Sequence, residues 1–182
     1  RCDNYLQDLY LILIYVAVVG PSLLLVGETK SRILNLKTGI RALAYLPLTV
    51  LPLLAFAILA VNLLSSIPIL NASWLGYNIA IGPFGNQGLL GILPFIPLLV
   101  YMLIHVNYFE EFYFRKNVKY VVVWALLHLA MGVAVYVALA LVPLGLFYKF
   151  IRNRYDVNHA YALHFATNIL LLTMSISSYM FL

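Results

Sequence analysis

Apolar runs of about the 20 residues that a bilayer-crossing helix requires recur along this chain, separated by short basic or polar breaks. The first is Leu6 to Val26, interrupted by Gly20 and Pro21. The second, Ala42 to Leu64, contains Pro47 and Pro52, which a membrane helix tolerates where neighbours re-satisfy the freed carbonyls. Ser65 to Gly88 is uncharged but rich in Gly, Pro and Asn, and reads as a loop or re-entrant element. A third run extends from Leu89 to about Phe114 and turns polar near its end. Val118 to Phe150 would be about 50 Å long as one helix, against a hydrocarbon core of about 30 Å. It is therefore read as two short passes turning near Met131 to Val133. The last run is Val157 to Tyr179.

Basic residues support that division. They cluster at Lys30, Arg32, Lys37 and Arg41, at Arg115, Lys116 and Lys119, and at Lys149, Arg152 and Arg154. Two passes between Val118 and Phe150 bring all three clusters to one side, the cytoplasmic side by the positive-inside rule. The expectation is an all-α, polytopic transmembrane bundle of about six spans. It forms a single integral membrane domain over residues 1–182, with its polar core at about 89–179. Leu6 to Val26 is followed by a basic loop and reads as a retained span rather than a signal peptide. The chain opens on Arg1 without an initiator Met, the expectation for a fragment or processed product.

Composition agrees. Hydrophobic residues make up 64% and charged residues 9%, whereas soluble domains carry about 25% charged. The net charge of +5 belongs to cytoplasmic loops on this reading and not to nucleic-acid binding. A single Cys2 rules out an intrachain disulfide and a multi-cysteine metal site.

Against this apolar background stand Glu110 and Glu111, His128, and His164 with Asn168. An ionisable group at membrane depth costs at least about 3 kcal/mol and is by default a functional-site candidate. At ~1.5 Å per residue, Glu110, His128 and His164 lie within roughly 7 to 15 Å of the cytoplasmic face, each on a different helix. Glu111 and Arg115 are i and i+4 with the acid first, the favourable order for a helical ion pair. That leaves Glu110 turned aside and free for another partner. His164 and Asn168 are also i and i+4 and share a face. A carboxylate beside a neutral imidazole can take a proton from water, and a His with an Asn can donate to a developing oxyanion.

The residues also resemble a known family. Glu110-Glu111-Phe-Tyr-Phe-Arg115 is similar to the E-E-x-x-x-R motif of the CAAX protease and bacteriocin-processing family, which includes the Rce1-type prenyl-protein endopeptidases. Trp124-Ala-Leu-Leu-His128 resembles its F-x-x-x-H motif, with Trp for Phe. His164-Phe-Ala-Thr-Asn168 matches its H-x-x-x-N motif. The run Pro143 to Tyr148 resembles its Gly-containing helix, whereas the segment from His128 to Gly145 is short. The likeness covers Asn107 to about Leu170 well and the first hundred residues loosely. It implies a glutamate-dependent intramembrane endopeptidase acting near the C-terminus of a prenylated or otherwise membrane-anchored protein or peptide, without a cofactor or metal. It further implies Glu110 as general base, His128 positioning the water, His164 and Asn168 forming the oxyanion site, and Glu111 with Arg115 in support. A lipid-binding cavity opening sideways between the third, fourth and last spans is expected.

Each feature has a plainer explanation. Glu111 and Arg115 could be an interfacial ion pair, His128 a core histidine on a backbone carbonyl, and His164 with Asn168 a polar contact between helices. His105 and His159 read as structural. Tyr108, Tyr113, Tyr120, Tyr148 and Tyr155 fit an interfacial aromatic belt. Two rival functions remain: a zinc metalloprotease using Glu110, His128 and His164, which lacks an H-E-x-x-H sequence, and a non-catalytic immunity or scaffold protein retaining the fold. A transporter is disfavoured, because the charges gather near one face.

Overall fold

The structure, a computed structural model, describes residues 26–72, 96–131 and 133–178, with isolated positions before residue 26. The first apolar run and the stretch from 73 to 95 lie outside the described residues. Among those described, the chain is all-helical and contains no strand. The helices are α1 (Thr29–Thr38), α2 (Leu46–Asn62), α3 (Pro68–Asn71), α4 (Ile96–Tyr113), α5 (Val118–Leu127), α6 (Val135–Arg154) and α7 (Val157–Ser178).

Several boundaries differ from the sequence reading for local reasons. The second run begins as a 3-10 turn over Ile40–Tyr45, and α2 starts only at Leu46. Pro47 then falls in the first helical turn, where its missing N–H costs nothing. α1 meets the segment from Ile40 to Phe56 at a 60° bend. The loop expected from Ser65 contains a 3-10 turn, Leu64–Ser66, and the short α3. The chain does break between Met131 and Val135, giving α5 with a 3-10 extension (His128–Met131) and then α6. α5 and α6 pack against each other.

Among the described residues α6 is the one helix long and apolar enough to cross a membrane, and α1 joined to the segment from Ile40 to Phe56 passes the same test as a bent pair, so the described residues show fewer than the expected six spans. α4 reaches 18 residues but carries His105, Asn107, Glu110 and Glu111.

α7 is the central helix. It packs on α1, the Ile40–Tyr45 turn, α2, α4 and α6. Ala160, Tyr161 and Leu163 are sealed from solvent, and a core forms around Ala42, Tyr148, Ile151, Ala160 and Leu163. Two glycines permit the closest approaches. A Cβ on Gly39 would fall 2.0 Å from the Asn158 carbonyl oxygen, where the α1 turn abuts the start of α7. One on Gly145 would fall 2.8 Å from Val121 and 2.9 Å from Trp124, so glycine lets α5 lie directly on α6.

Helix ends are held by side chains. Asp156 accepts a hydrogen bond from the His159 backbone N–H at 2.9 Å and caps α7, and the Asn117 side chain does the same for Tyr120 in α5. Lys149 of α6 donates to the Arg115 and Lys116 carbonyls beyond the end of α4. That contact fixes the segment that carries both glutamates.

Candidate active site

Four helices meet around the His164 ring. From α4, Glu111 Oε1 lies 2.8 Å from Nδ1 and Glu110 Oε2 lies 3.7 Å from Nε2. From α7 itself, Asn168 Nδ2 lies 3.1 Å from Nε2, as the i and i+4 spacing requires. From α6, Tyr148 stacks on the imidazole at 4.6 Å between ring centroids. Trp124 of α5 closes the remaining side, edge-on at 5.8 Å.

Glu111 and Arg115 do pair, at 2.9 Å, and the pair is buried in the bundle: both side chains are 0% exposed. The Arg115 guanidinium lies 3.8 Å over the Trp124 ring, a cation–π contact that partly replaces lost water. Glu111 is thus less a remote support than a direct partner of His164. Glu110 retains 17% exposure and is the more open of the two carboxylates. Its turn on α4 leaves it aside from Arg115, as the spacing predicts.

His128 stands apart. Its Nδ1 bonds the Trp124 carbonyl at 2.9 Å, the ordinary arrangement of a core histidine, and its ring packs on Trp124 at 4.8 Å. Among the described residues no hydrogen bond or ion pair joins it to Glu110 or His164. Nor do Glu110, His128 and His164 gather as a metal-holding group among the described residues. Asn168 Nδ2 is engaged by Asn107 Oδ1 at 3.0 Å as well as by His164, so neither member of the expected oxyanion pair is a free donor in this arrangement.

No protein-family model, curated protein or solved structure matches the chain. The site therefore rests on its own geometry.

Three of its members were not assigned to it from sequence. Asn107 lies one helical turn before the glutamates, a spacing visible in the sequence but unremarkable in a helix. Trp124 entered only as a motif position. Tyr148 was read into the aromatic belt, yet it is fully buried against His164, which corrects that assignment. Tyr113, Tyr120 and Tyr155 are exposed. His105 bonds Thr29 at 3.1 Å and ties α1 to α4, and His159 bonds Asp156 at 2.8 Å. Both contacts hold helices in place.

A cavity of about 630 Å³ opens between α2, α3 and α6, walled by Leu53, Phe56, Leu70, Leu139 and Phe147 among others. It lies elsewhere than the expected opening between the third, fourth and last runs. Thr49, on its wall, shares a hydrogen bond of 3.0 Å with Thr167, the residue before Asn168. That bond ties the cavity wall to α7, the helix that carries His164 and Asn168.

Proposed function

We propose that this chain is an intramembrane, glutamate-dependent endopeptidase that hydrolyses a peptide bond near a membrane-anchored C-terminus. The observation that carries the reading is a histidine held between two carboxylates, inside a bundle whose outward positions are apolar. Leu48, Leu51 and Ile58 of α2, Leu127 of α5 and Phe150 of α6 face outward, while Glu111 and Arg115 are sealed within. A sealed ion pair inside and exposed apolar side chains on three helices suit a lipid solvent, and the apolar cavity suits a substrate with a hydrocarbon anchor. The three motif resemblances point the same way, with the site towards the cytoplasmic side.

In this mechanism Glu110 takes a proton from water as the water oxygen bonds to the scissile carbonyl carbon. The carbon–nitrogen bond then breaks, and the amine departs with the proton returned from Glu110. One water is consumed, leaving a carboxylic acid and an amine, which exchange a proton to end as carboxylate and ammonium. Glu111, neutralised by Arg115, holds the imidazole in orientation.

The test compares protein C-termini by mass spectrometry in cells carrying the chain or its Glu110→Gln variant at equal abundance. A defined set of new C-termini that needs the carboxylate is expected. Identical termini, with any cellular phenotype retained by the variant, would instead support the scaffold reading.

A further inference from the structure

The outward face of α1 carries two kinds of side chain. Lys30 and Lys37 are exposed, and between them Ile33 and Leu34 are 50% and 53% exposed. Ile33 lies three residues from Lys30 and four from Lys37, and Leu34 lies four and three. Helical spacing therefore gathers all four on one face. The pattern continues past Gly39, where Ile40 is 57% exposed beside an exposed Arg41. Among the described residues no carboxylate pairs with Lys30, Lys37 or Arg41: Glu28 is taken by Arg32, and Asp156 by His159.

The opposite face of α1 is occupied. Thr29 bonds His105 at 3.1 Å, and the Arg32 guanidinium lies 3.7 Å over the Tyr108 ring, both partners on α4. Gly39 abuts Asn158 and Ala162 of α7. The bundle thus clamps α1 on one side and leaves its lysine-bearing side outward. A helix of 10 residues reaches only ~15 Å, about half the hydrocarbon thickness. Lysine heads are costly at membrane depth, and the chain bends by 60° before the apolar segment from Ile40 to Phe56. Length, charge and bend together suit the level where acyl chains meet headgroups.

We propose that the outward face of α1, continued by Ile40 and Arg41, is a docking surface for anionic phospholipid headgroups. Lys30, Lys37 and Arg41 meet the lipid phosphates, and Ile33, Leu34 and Ile40 enter the upper acyl layer. The lysine stems lie along that apolar surface with their ammonium groups in the polar layer. An acidic protein segment or a nucleic acid answers the cations but leaves the three apolar side chains in water, so the mixed face favours lipid. The proposal rests on the membrane setting given above and not on the hydrolase chemistry.

The test uses the full chain with Cys2→Ser and one spin label, at Ile33→Cys on α1 or at Leu146→Cys on α6, an exposed reference position. Each is reconstituted in phosphatidylcholine vesicles with or without about 30% phosphatidylglycerol, the anionic component. Depth is read from collisions with oxygen and with a neutral nickel chelate. Position 146 is expected in hydrocarbon in both vesicles. Position 33 is expected in the headgroup layer, and deeper when phosphatidylglycerol is present. Lys30→Gln with Lys37→Gln and Arg41→Gln, all at exposed positions, removes that shift and leaves position 146 unchanged. If the triple variant does not insert, salt at about 1 M screens the same charges and replaces it. A label at 33 in the hydrocarbon core, or at a depth indifferent to phosphatidylglycerol, overturns the proposal. A label at 33 in bulk water also overturns it and gives the face to a soluble acidic partner. If position 146 reads water as well, the membrane setting itself fails.

Discussion

The Arg115 side chain is sealed from solvent, and among the described residues its charge is answered by Glu111 at 2.9 Å and by the Trp124 and Tyr148 faces at 3.8 and 5.5 Å. Removing one partner of such a pair strands the other charge, at a cost of about 3–5 kcal/mol. Arg115→Met is therefore expected to destabilise the fold by that order, measured by thermal unfolding in detergent. Arg115→Met with Glu111→Gln should recover part of the loss, since no buried charge is then left alone. The pairing itself was legible, because helix geometry alone places i and i+4 together. That it is buried was not: the same spacing serves a surface pair equally well. Nor did sequence show that Glu111 reaches His164, which depends on how α4 is rotated against α7.

At the scale of elements, close packing and capping set the site's frame. Gly145→Ala puts a methyl where Val121 and Trp124 already lie, within 3 Å. Overpacking of this kind costs about 1–3 kcal/mol, and a matching fall in thermal stability is expected as α5 is pushed from α6. The α7 cap carries a pH signature. Partial burial pushes the Asp156 carboxyl up, but hydrogen bonds from the His159 ring and the His159 and Asn158 backbone outweigh it, and its pKa falls below the usual value. A lowered folded pKa means the contribution is complete above the unfolded value near ~3.9 and is lost as pH falls through the folded one. Asp156→Ala should cost about 1 kcal/mol at neutral pH, and the difference from wild type should shrink below about pH 4 in acid titrations followed by circular dichroism. α2, α4, α5, α6 and α7 were readable from apolar run lengths, and the break after Met131 from the excess length of one run, whereas α1 falls in the basic break and α3 in the stretch read as a loop or re-entrant element. The late start of α2 was hidden, because a 3-10 turn and a helix share the same apolar pattern.

At the scale of the molecule, among the described residues, large apolar side chains are exposed on α2, α5 and α6, and an Arg–Glu–His cluster lies inside beside the apolar core. Exposed apolar side chains of this kind fit the proposed membrane setting. The protein is expected to remain in the membrane fraction after an alkaline carbonate wash and to require detergent for release; release by carbonate would remove the membrane reading. The all-helical class was legible in the apolar runs, and the 9% of charged residues is what the membrane proposal rests on in the sequence. The cavity's place was not legible, because it depends on which helices become neighbours. Trp124 has a further use. Its indole meets the His164 ring edge-on and the His128 ring at 4.8 Å, with a guanidinium on its face. Indole emission follows the packing around the ring, and Trp74 is the chain's one other tryptophan. Once Trp74 is replaced by Phe, the bundle carries its own optical gauge, and the light from a single side chain reports how closely α5 sits on the site.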